Sequence, residues 1–494
     1  MLSVAEIKKF IEEDMSSARK LKASEGQRYY ESEHDILKAR LFYYDSNGQL
    51  QEDKFRSNIK ISHPFFKILI DELSPYMLSF EEHPIRAKET AENLQDYLDE
   101  YFDDDFWSEI GDLIDGTGIK GFEYLYGFKN EDNRLTFECA DSMGVVEVQA
   151  RYAKDKQDHR IYHYLDTDLS EKGKVMVRRI QDWTKEETYF WIQDSESGKI
   201  TKDKSEPINP RPHVMYEDGT VGESLGVIPF WRLDNNKKQF SSLKPVKPLI
   251  DDYDLHACSL SNNLVDFDTP LYIVKGYEGS NLDEVFQNIK TKKTMAVDSD
   301  GGVDVQTIDI PYEARKEKLA IDKENIYVFG MGFDPTQVGD GNITNIVIKS
   351  RYTLLHLRAE KLEKRLKKLL KQIVELVIDD INAENGTGYQ YSDVYIEKFQ
   401  KNTPTNDSEN IANAKVEAET RQIEINTILN AAIHLGDEQV LKSICEILDL
   451  DFEKLKGELE KMKEEQNLLD AKNALEGAVV EDEIIEKTVP EGIE

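Results

Sequence analysis

The stretch that decides the fold is Gly330-Met-Gly-Phe-Asp-Pro-Thr-Gln-Val-Gly-Asp-Gly-Asn-Ile-Thr344, together with the segment that follows it, which contains no proline or glycine up to Ile381. Apolar residues recur in that segment at spacings of three and four: Leu355, Ala359, Leu362, Leu366, Leu369, Ile373, Val377 and Ile381. This periodicity predicts one very long amphipathic helix, which would reach almost ~60 Å at about 1.5 Å per residue. The loop before it carries two aspartates and no lysine or arginine.

Composition limits the class of protein. The chain has 494 residues, which is long enough for roughly three domains of ~150 residues each. Of these residues 39% are hydrophobic, which is sufficient for each domain to have a core. The sequence contains no run of ~18 apolar residues that could span a bilayer. Residues 3–6 form a capping box that opens a helix, where a signal peptide would be apolar. Three widely spaced cysteines indicate free thiols in a reducing compartment and no structural zinc.

The net charge of −34 argues against a tight, non-specific grip on nucleic acid. Such affinity comes largely from lysine and arginine, which displace the counterions of the phosphate backbone. An acidic surface repels phosphate instead. Solubility alone is also a sufficient reason for this charge, so a role in handling DNA needs other evidence.

The periodic segments divide the chain into parts whose class is α+β, mainly helical. Residues 1–240 mix helices with alternating strands. Helices are predicted at 241–266 and 312–331, where Pro248 and Pro311 mark helix starts and Pro270 ends the first helix. Between them lies a compact α/β insertion at 267–311, with a strand at 271–274, a short helix at 282–289 and a hairpin turn at 298–302. An α-hairpin with that insertion at its tip is the economical geometry, because the chain leaves and returns at one place. After the long helix and a strand near 394–399, residues 405–470 read as helical hairpins: Ser408 caps a helix that ends at Gly436, Asp437 caps a second, and Asp451 caps a third. Residues 471–494 read as a disordered acidic tail.

Two glycine motifs resemble catalytic signatures but stand in the wrong context. Gly116-Thr-Gly-Ile-Lys-Gly121 matches the dinucleotide fingerprint, yet a helix precedes it and a strand follows, so we predict a helix-to-strand turn. Gly222-Glu-Ser-Leu-Gly226 matches a nucleophile elbow, but a strand with Pro229 follows where a helix is required. Ser224 is therefore predicted to be a turn residue. No Walker A sequence is present, so the chain is not its own nucleotide-driven motor.

Two groups of possible metal ligands are better explained structurally. His159 and His163 lie in an alternating segment, which predicts a strand surface. Asp251, Asp252 and Asp254 stand near the start of a helix, where carboxylates are common. We expect no metal, no cofactor and no catalytic residue.

The order of several segments carries a resemblance to a known family. These segments are 224–236 (Ser-Leu-Gly-Val-Ile-Pro-Phe-Trp-Arg-Leu-Asp-Asn-Asn), the helix 248–265, the stretch 268–274 (Asp-Thr-Pro-Leu-Tyr-Ile-Val), the loop from Gly332-Phe-Asp-Pro335 to Asn345, and the long helix. In this order they resemble the portal proteins of tailed bacteriophages with long, non-contractile tails. The resemblance covers roughly residues 55–465, and its strength lies in the order more than in any single motif.

The resemblance implies a ring, typically of twelve subunits, at one vertex of the capsid. Double-stranded DNA would enter and leave through this ring without sequence preference. The implied domains are a wing (1–240), a stem (241–266 and 312–331), a clip (267–311), a tunnel loop (332–345), a long helix with a wing-completing strand (346–404), a crown (405–470) and the tail (471–494). The implied location is the virion, with assembly in the host cytoplasm.

The resemblance also implies site residues and partners. The tunnel loop would present to DNA Asp334, Gln337, Asp340, Asn342, Thr344 and Asn345. Clip residues Lys290, Lys292 and Lys293 are candidates for docking the terminase large subunit and then a head-completion (adaptor) protein. Major capsid and scaffolding proteins are further implied partners, and no membrane is expected.

A basic group on the polar side of the long helix allows two explanations. The group consists of Lys361, Lys364, Arg365, Lys367, Lys368 and Lys371. Its candidate subunit-contact residues are Lys361, Lys364, Arg365 and Lys368. One explanation is pairing along the helix with Glu360 and Glu363, and the other is contact with acidic surfaces of neighbouring subunits, favoured over contact with DNA.

Two other classes of function stay open at this level. A cytosolic, acidic helical scaffold or adaptor protein without a DNA role fits the charge and the helical C-terminus equally well. A hydrolase would have to use Ser224, which the strand-like sequel disfavours. A ring with a central hole, a monomer or dimer, or ester turnover would distinguish the three.

Overall fold

The computed structural model describes residues 1–54, 56–130, 133–170, 173–194, 197–214, 222–267, 271–275, 301–306, 311–334, 345–401, 407–432, 435–448, 452, 454–457 and 461. The chain forms two compact units. One comprises Met1–Asp340 with Lys349–Thr403, and the other Gly341–Ile348 with Pro404–Glu494. The described residues form mainly helices with small antiparallel sheets, which confirms the predicted α+β, mainly helical class.

The described helices and strands are as follows. The helices are α1 (Val4–Met15), α2 (Ala18–Tyr30), α3 (Phe65–Asp71), α4 (Leu73–Met77), α5 (Leu94–Tyr101), α6 (Asp104–Lys120), α7 (Lys247–Asp266), α8 (Tyr312–Gly330), α9 (Asn345–Asn385), α10 (Asp407–Ala431) and α11 (Asp437–Leu448). The strands are β1 (Phe42–Tyr44), β2 (Leu50–Glu52), β3 (Ile85–Ala87), β4 (Phe122–Lys129), β5 (Leu135–Ala140), β6 (Val145–Val148), β7 (His159–Ser170), β8 (Gly173–Trp183), β9 (Glu187–Asp194), β10 (Ile200–Lys202), β11 (Arg211–Pro212), β12 (Phe230–Asp234), β13 (Leu271–Lys275), β14 (Gly302–Gln306) and β15 (Val394–Ile396).

The N-terminal part is a helix packed on an antiparallel sheet. The predicted capping box at Ser3 and Glu6 starts α1, whose buried Ile7 and Ile11 share a core with β6 to β10. That sheet runs in the order β10-β9-β8-β7-β6, with β11 added beside β9. A second sheet has the order β12-β4-β5 and packs against α6.

The glycine motif between α6 and β4 confirms the order helix then strand, but the turn is shorter than predicted. Gly116 and Gly118 lie inside α6, and Gly121 alone ends the helix with a φ of 93°. Gly116 lies against the Glu123 side chain and Gly118 against Ile70, so a Cβ at either position would clash. The glycines therefore serve close packing and a left-handed helix end.

The long helix α9 confirms the strongest prediction, since it spans Asn345–Asn385. All eight predicted apolar positions are buried: Leu355, Ala359, Leu362, Leu366, Leu369, Ile373, Val377 and Ile381. They belong to one core cluster with residues of α4, α5, α6, β4 and β5. The strand predicted near 394–399 is β15, which pairs with β3 at the edge of the same cluster.

Buried carboxylates fix two points of α9. Asp380 accepts hydrogen bonds from the Tyr101 hydroxyl at 2.9 Å and from the Leu135 amide at 3.2 Å, and pairs with Lys129 at 2.6 Å. Glu363 pairs with Lys401 and accepts from the Phe399 amide at 3.2 Å. Because buried charges are tolerated only when they are paired, these contacts set the rotation of the helix.

The helices α7 and α8 pack on each other, as predicted, and contribute Ile250 and Ile326 to one apolar cluster, with charged and polar contacts beside it. Lys318 of α8 pairs with Asp252 of α7 and with Asp322. The side-chain oxygen of Asn263 in α7 accepts two hydrogen bonds from the guanidinium of Arg315 in α8, at 2.7 and 2.8 Å. Several large apolar side chains of the two helices stay exposed: Leu255, Leu264, Val265, Ile321, Val328 and Phe329.

The insertion between these helices begins and ends on paired strands. β13 confirms the predicted strand at 271–274 and pairs antiparallel with β14, with Leu271 opposite Gln306. The chain therefore leaves α7 and returns to α8 at one place, as predicted. The predicted short helix at 282–289 and most of the turn at 298–302 lie outside the described residues.

In the second unit, α10 and α11 form the first helical pair predicted there. α10 begins at Asp407, one residue before the predicted cap Ser408, and ends at Ala431 rather than at Gly436. α11 begins at the predicted Asp437. Most of the third predicted helix and the acidic tail lie outside the described residues.

Replacing Leu366 of α9 by alanine should lower the free energy of unfolding by about 2–5 kcal/mol, because its fully buried side chain would leave a cavity. Urea unfolding followed by circular dichroism measures this loss. Leu357→Ala is the matched control, since the Leu357 side chain on the same helix is 43% exposed. Equal losses in the two variants would contradict the assigned burial.

Candidate functional site

The candidate site is the point where α8 ends and the predicted tunnel loop begins. Met331 takes a left-handed conformation with a φ of 55° and ends α8. The Gly332 amide donates to the Tyr327 carbonyl at 2.9 Å, and the Met331 amide donates to the Val328 carbonyl at 3.2 Å. These bonds satisfy the last carbonyls of the helix and hold the chain's exit direction.

Glycines let this exit lie directly on α3. Gly330 and Gly332 both lie against the Leu69 side chain, and Gly332 also lies beside the Glu72 carboxylate. A Cβ at either glycine would clash with Leu69. The sequence Gly330-Met-Gly332 is thus required by close approach, a role that the two small residues flanking Met331 already suggest.

The first residues of the loop are held by one hydrogen bond and one ring stack. The Phe333 amide donates to the Glu72 carboxylate at 3.1 Å. The Phe333 ring stacks on Tyr352 of α9, with centroids 4.4 Å apart and planes at 19°. Tyr352 stacks in turn on Tyr76 at 6.0 Å. The base of the loop is therefore tied to α3, α4 and α9.

Glu72 connects this base to a buried cation. Arg358 of α9 donates to the Leu69 carbonyl at 2.7 Å and lies 4.0 Å from the free oxygen of the Glu72 carboxylate. Burial raises the pKa of Glu72 to about 7, although the Phe333 hydrogen bond and the Arg358 charge oppose that rise. Ionisation of Glu72 thus changes in the neutral pH range.

The structure describes only the two ends of the predicted tunnel-loop set. Asp334 is half-buried just after Phe333, and the half-buried Asn345 begins α9. Gln337, Asp340, Asn342 and Thr344 lie outside the described residues. The clip candidates Lys290, Lys292 and Lys293 also lie outside them.

The basic group on α9 lies on the face opposite the buried stripe. Lys361, Lys364 and Lys368 are exposed and Arg365 is half-buried. Their supposed partners are engaged elsewhere: Glu360 pairs with Lys398 at 3.1 Å, and Glu363 with Lys401 and with Lys367 at 3.0 Å.

The explanation by pairing along the helix with Glu360 and Glu363 therefore holds for Lys367 alone. Within the part of the chain that the structure describes, the four candidate cations form no ion pair. They remain available to a surface outside this subunit.

One polar cluster beside α7 could not be predicted from the sequence. Asp254 of α7 is fully buried between His34, at 2.6 Å, and His63, at 2.7 Å. Burial opposes ionisation of Asp254, but the hydrogen bonds from the two histidines outweigh it and hold the pKa of Asp254 below its ordinary value. The cluster ties residues 34 and 63 to α7. Asp254 was considered only as a helix-start carboxylate, and the His63-Pro64 pair was the available signal.

Other motifs take structural roles. The Ser224 hydroxyl donates to the Lys185 carbonyl at 2.8 Å in a loop before β12, as a turn residue would. His159 and His163 lie on strand β7 as predicted, but the prediction of a surface position was wrong, because both are buried. His159 bonds to Asp182 at 2.7 Å and to Asp155 at 3.1 Å. No group of three or more His, Cys, Asp or Glu is arranged for a metal among the described residues.

No described helix is long and apolar enough to cross a membrane.

Comparison with known proteins finds bacteriophage portal proteins. The portal protein of Bacillus phage SPP1 is 28% identical over 347 residues, which cover 69% of this chain and 66% of that protein. The portal protein of Clostridium phage phiCD119 is 24% identical over 378 residues, covering 70% of this chain and 78% of that protein. The match thus spans just under two thirds of the length of the SPP1 relative.

The family model described as "Phage portal protein, SPP1 Gp6-like" matches residues 9–468. The chain belongs to this family. This confirms the resemblance read from the order of segments. One solved chain that is similar in structure is described as "Neck of empty GTA particle computed with C6 symmetry". The similarity covers 79% of this chain and 90% of that chain, at 12% sequence identity and a TM-score of 0.37.

Replacing Glu72 by glutamine should raise the free energy of unfolding at pH 8 by at most about 3 kcal/mol, since it removes a carboxylate whose ionisation burial opposes. In the wild type the folded protein retains a proton between the ordinary pKa of 4.5 and about 7, whereas the unfolded chain loses it. Wild-type stability therefore falls as pH rises through that window, and the gain of the variant vanishes as pH falls back through it.

Urea unfolding at intervals from pH 5 to pH 8 measures the difference. The matched control is Glu375→Gln on the exposed side of α9. A Glu72→Gln difference that stays constant across this range would contradict the raised pKa.

Proposed function

We propose that many copies of this chain form a ring, typically of twelve subunits, at one vertex of a phage capsid. Double-stranded DNA passes through the ring during genome packaging and ejection. The observation that carries this proposal is the family match over residues 9–468, together with the long helix and its anchored, cation-free loop. In this assignment residues 1–240 are the wing, 241–266 and 312–331 the stem, 267–311 the clip, 332–345 the tunnel loop, 346–404 the long helix with the wing-completing strand, 405–470 the crown and 471–494 the tail.

The loop 332–345 would face DNA without gripping it. Its polar residues are Asp334, Gln337, Asp340, Asn342, Thr344 and Asn345, which repel phosphate or bond to it weakly. When a protein neutralises Z phosphates, the logarithm of its DNA affinity falls with the logarithm of the salt concentration at a slope of about −0.9Z. One lysine from each of twelve subunits would bring this slope to about −11. A ring of that kind would clamp its cargo. A loop without cations, anchored at its base by Glu72 and Tyr352, lets the duplex slide.

The basic face of α9 would contact a neighbouring subunit. Lys361, Lys364, Arg365 and Lys368 lack ion-pair partners within the described part of their own chain, and a chain of net charge −34 offers acidic surface on every copy. Partly desolvated ion pairs between copies would fix the register of the ring. The polar contacts between α7 and α8, with apolar side chains left exposed, also favour a stem that is completed by its neighbours.

The remaining assignments rest on the family. The clip lysines Lys290, Lys292 and Lys293 would dock the terminase large subunit during packaging and a head-completion protein afterwards. The major capsid and scaffolding proteins would surround the wing, assembly would take place in the host cytoplasm, and the finished ring would reside in the virion. The chain would act as a structural conduit and not as an enzyme.

Negative-stain imaging of the purified chain tests the assembly. We expect annular particles with a central hole, and light scattering should give a mass of many subunits. A monomer or dimer would instead support an adaptor without a DNA role. The double variant Lys364→Glu with Lys368→Glu should abolish or strongly reduce the rings, because it places acid against acid.

The matched control is Lys8→Glu with Lys9→Glu, which changes the net charge equally at two exposed positions of α1. Rings that form equally well in both double variants would exclude the basic face as a subunit contact, while leaving the ring itself intact.

Replacing Gln337 and Asn342 by lysine should slow DNA translocation in an in vitro packaging assay. The added lysines would displace counterions from the DNA phosphates and so hold the duplex. The slowing should lessen as salt concentration rises. The control variant Gln337→Asn with Asn342→Gln keeps the loop neutral and should translocate at the wild-type rate. An unchanged rate in the lysine variant would reject the sliding mechanism.

A further inference from the structure

A cavity of about 290 Å³ lies where the end of α8 meets the loop before α7 and the middle of α9. Its lining includes Phe240, Ser242, Lys244, Met331, Arg358 and Lys361. The volume equals about ten water molecules at ~30 Å³ each, near the lower limit for small-molecule sites. It suits a small ion or a compact ester and is far too small for a duplex.

The charge of this lining is opposite to the charge of the chain. Lys244, Arg358 and Lys361 line the cavity, and no aspartate or glutamate does. The whole chain contains 97 acidic residues against 63 lysines and arginines. A cavity with three cations and no carboxylate in such a chain is a local reversal of sign, which favours an anionic occupant.

One hydrogen-bond donor in the wall is buried and has no acceptor. It is the terminal nitrogen Nη2 of Arg358, which has no hydrogen-bond partner among the described residues. The half-exposed Ser242 Oγ accepts from the Asn235 amide at 3.0 Å and still has its own hydrogen to donate. Nη2 and Oγ lie 3.9 and 4.0 Å from the point where a Cβ of Gly118 would stand, so they belong to the same small region. An anion bound there would supply the acceptor that the buried nitrogen lacks.

The two lysines complete the arrangement at the rim. Lys244 and Lys361 are exposed, whereas the Arg358 side chain is only 11% exposed. The Lys244 ammonium lies 3.5 Å from the centroid of the Phe240 ring, which holds it beside the opening. An anion entering here would meet two mobile cations first and a fixed guanidinium with a hydroxyl behind them, the donor set that binds phosphate groups.

We propose that this cavity is a binding site for a small phosphate-type oxyanion, held by Arg358 and Ser242 in the wall and by Lys244 at the rim. The site goes beyond the proposed conduit, since none of these three residues is among the proposed subunit contacts. Gly330 and Met331 form part of its wall, directly before the tunnel loop. Its occupant therefore contacts the residues from which that loop departs.

Isothermal titration of the full-length protein with inorganic phosphate, at constant ionic strength maintained with chloride, tests the site. We expect saturable binding with one phosphate per chain. Lys244→Gln and Ser242→Ala, which leave the core untouched, should each weaken binding at least tenfold. The matched control is Lys238→Gln, an exposed lysine of the same loop that does not line the cavity. Absence of saturable binding, or equal weakening in the control variant, would overturn the proposal.

Two further arms sharpen the result. Sulfate keeps its charge across neutral pH, and it should bind more tightly at pH 6 than at pH 8. Two carboxylates act on Arg358, those of Glu72 and Asp115, and burial raises their pKa values to about 7 and about 6, so acidification removes negative charge that competes with the anion for Arg358. Sulfate binding that strengthens toward pH 8 would contradict the role of Arg358. A nucleoside monophosphate distinguishes the sources: tighter binding than inorganic phosphate would support the site with an ester as its occupant, and weaker binding would support the free ion.

Discussion

Burial of the apolar stripe of α9 is the constraint on which the rest of this subunit depends. The stripe from Leu355 to Ile381 supplies one side of the largest core cluster, and helices and strands from both sides of the sequence pack against it. A helix has only one such face, so burying it determines where every other side chain of α9 points. Arg358 and Tyr352 are thereby brought to the base of the predicted tunnel loop, and Lys364 and Lys368 are left exposed.

The sequence predicted those features that depend on neighbours along the chain. The period of the apolar residues placed α9, the capping box placed α1, and the prolines around the insertion placed α7 and α8. Each of these signals acts within a few residues, so it survives whatever the tertiary structure does. The order of such elements was also sufficient to suggest the portal family.

The polar clusters could not be predicted in the same way, because their partners are remote in sequence. Asp254 meets His34 and His63, and Glu72 meets Arg358. No periodicity relates these residues, and their protonation depends on burial that only the packed structure defines. The same reason explains the error at His159 and His163: alternation identified the strand, but it did not show that both histidines lie on the buried face, together with Ile161.

The base of the predicted tunnel loop combines rigid packing with one hydrogen bond whose strength depends on pH. Two glycines, a left-handed Met331 and the Phe333 stack leave the departing chain little freedom. The remaining contact is the bond from the Phe333 amide to Glu72, whose pKa lies near 7. A carboxylate accepts an amide hydrogen more strongly than a neutral carboxyl group does, so this one bond weakens when Glu72 takes up a proton. The same proton leaves Arg358 without its nearest acid. Ionisation of the half-buried Glu72 therefore affects both the start of this loop and the cavity beside it, because the packing of α9 places Arg358 and Tyr352 next to them.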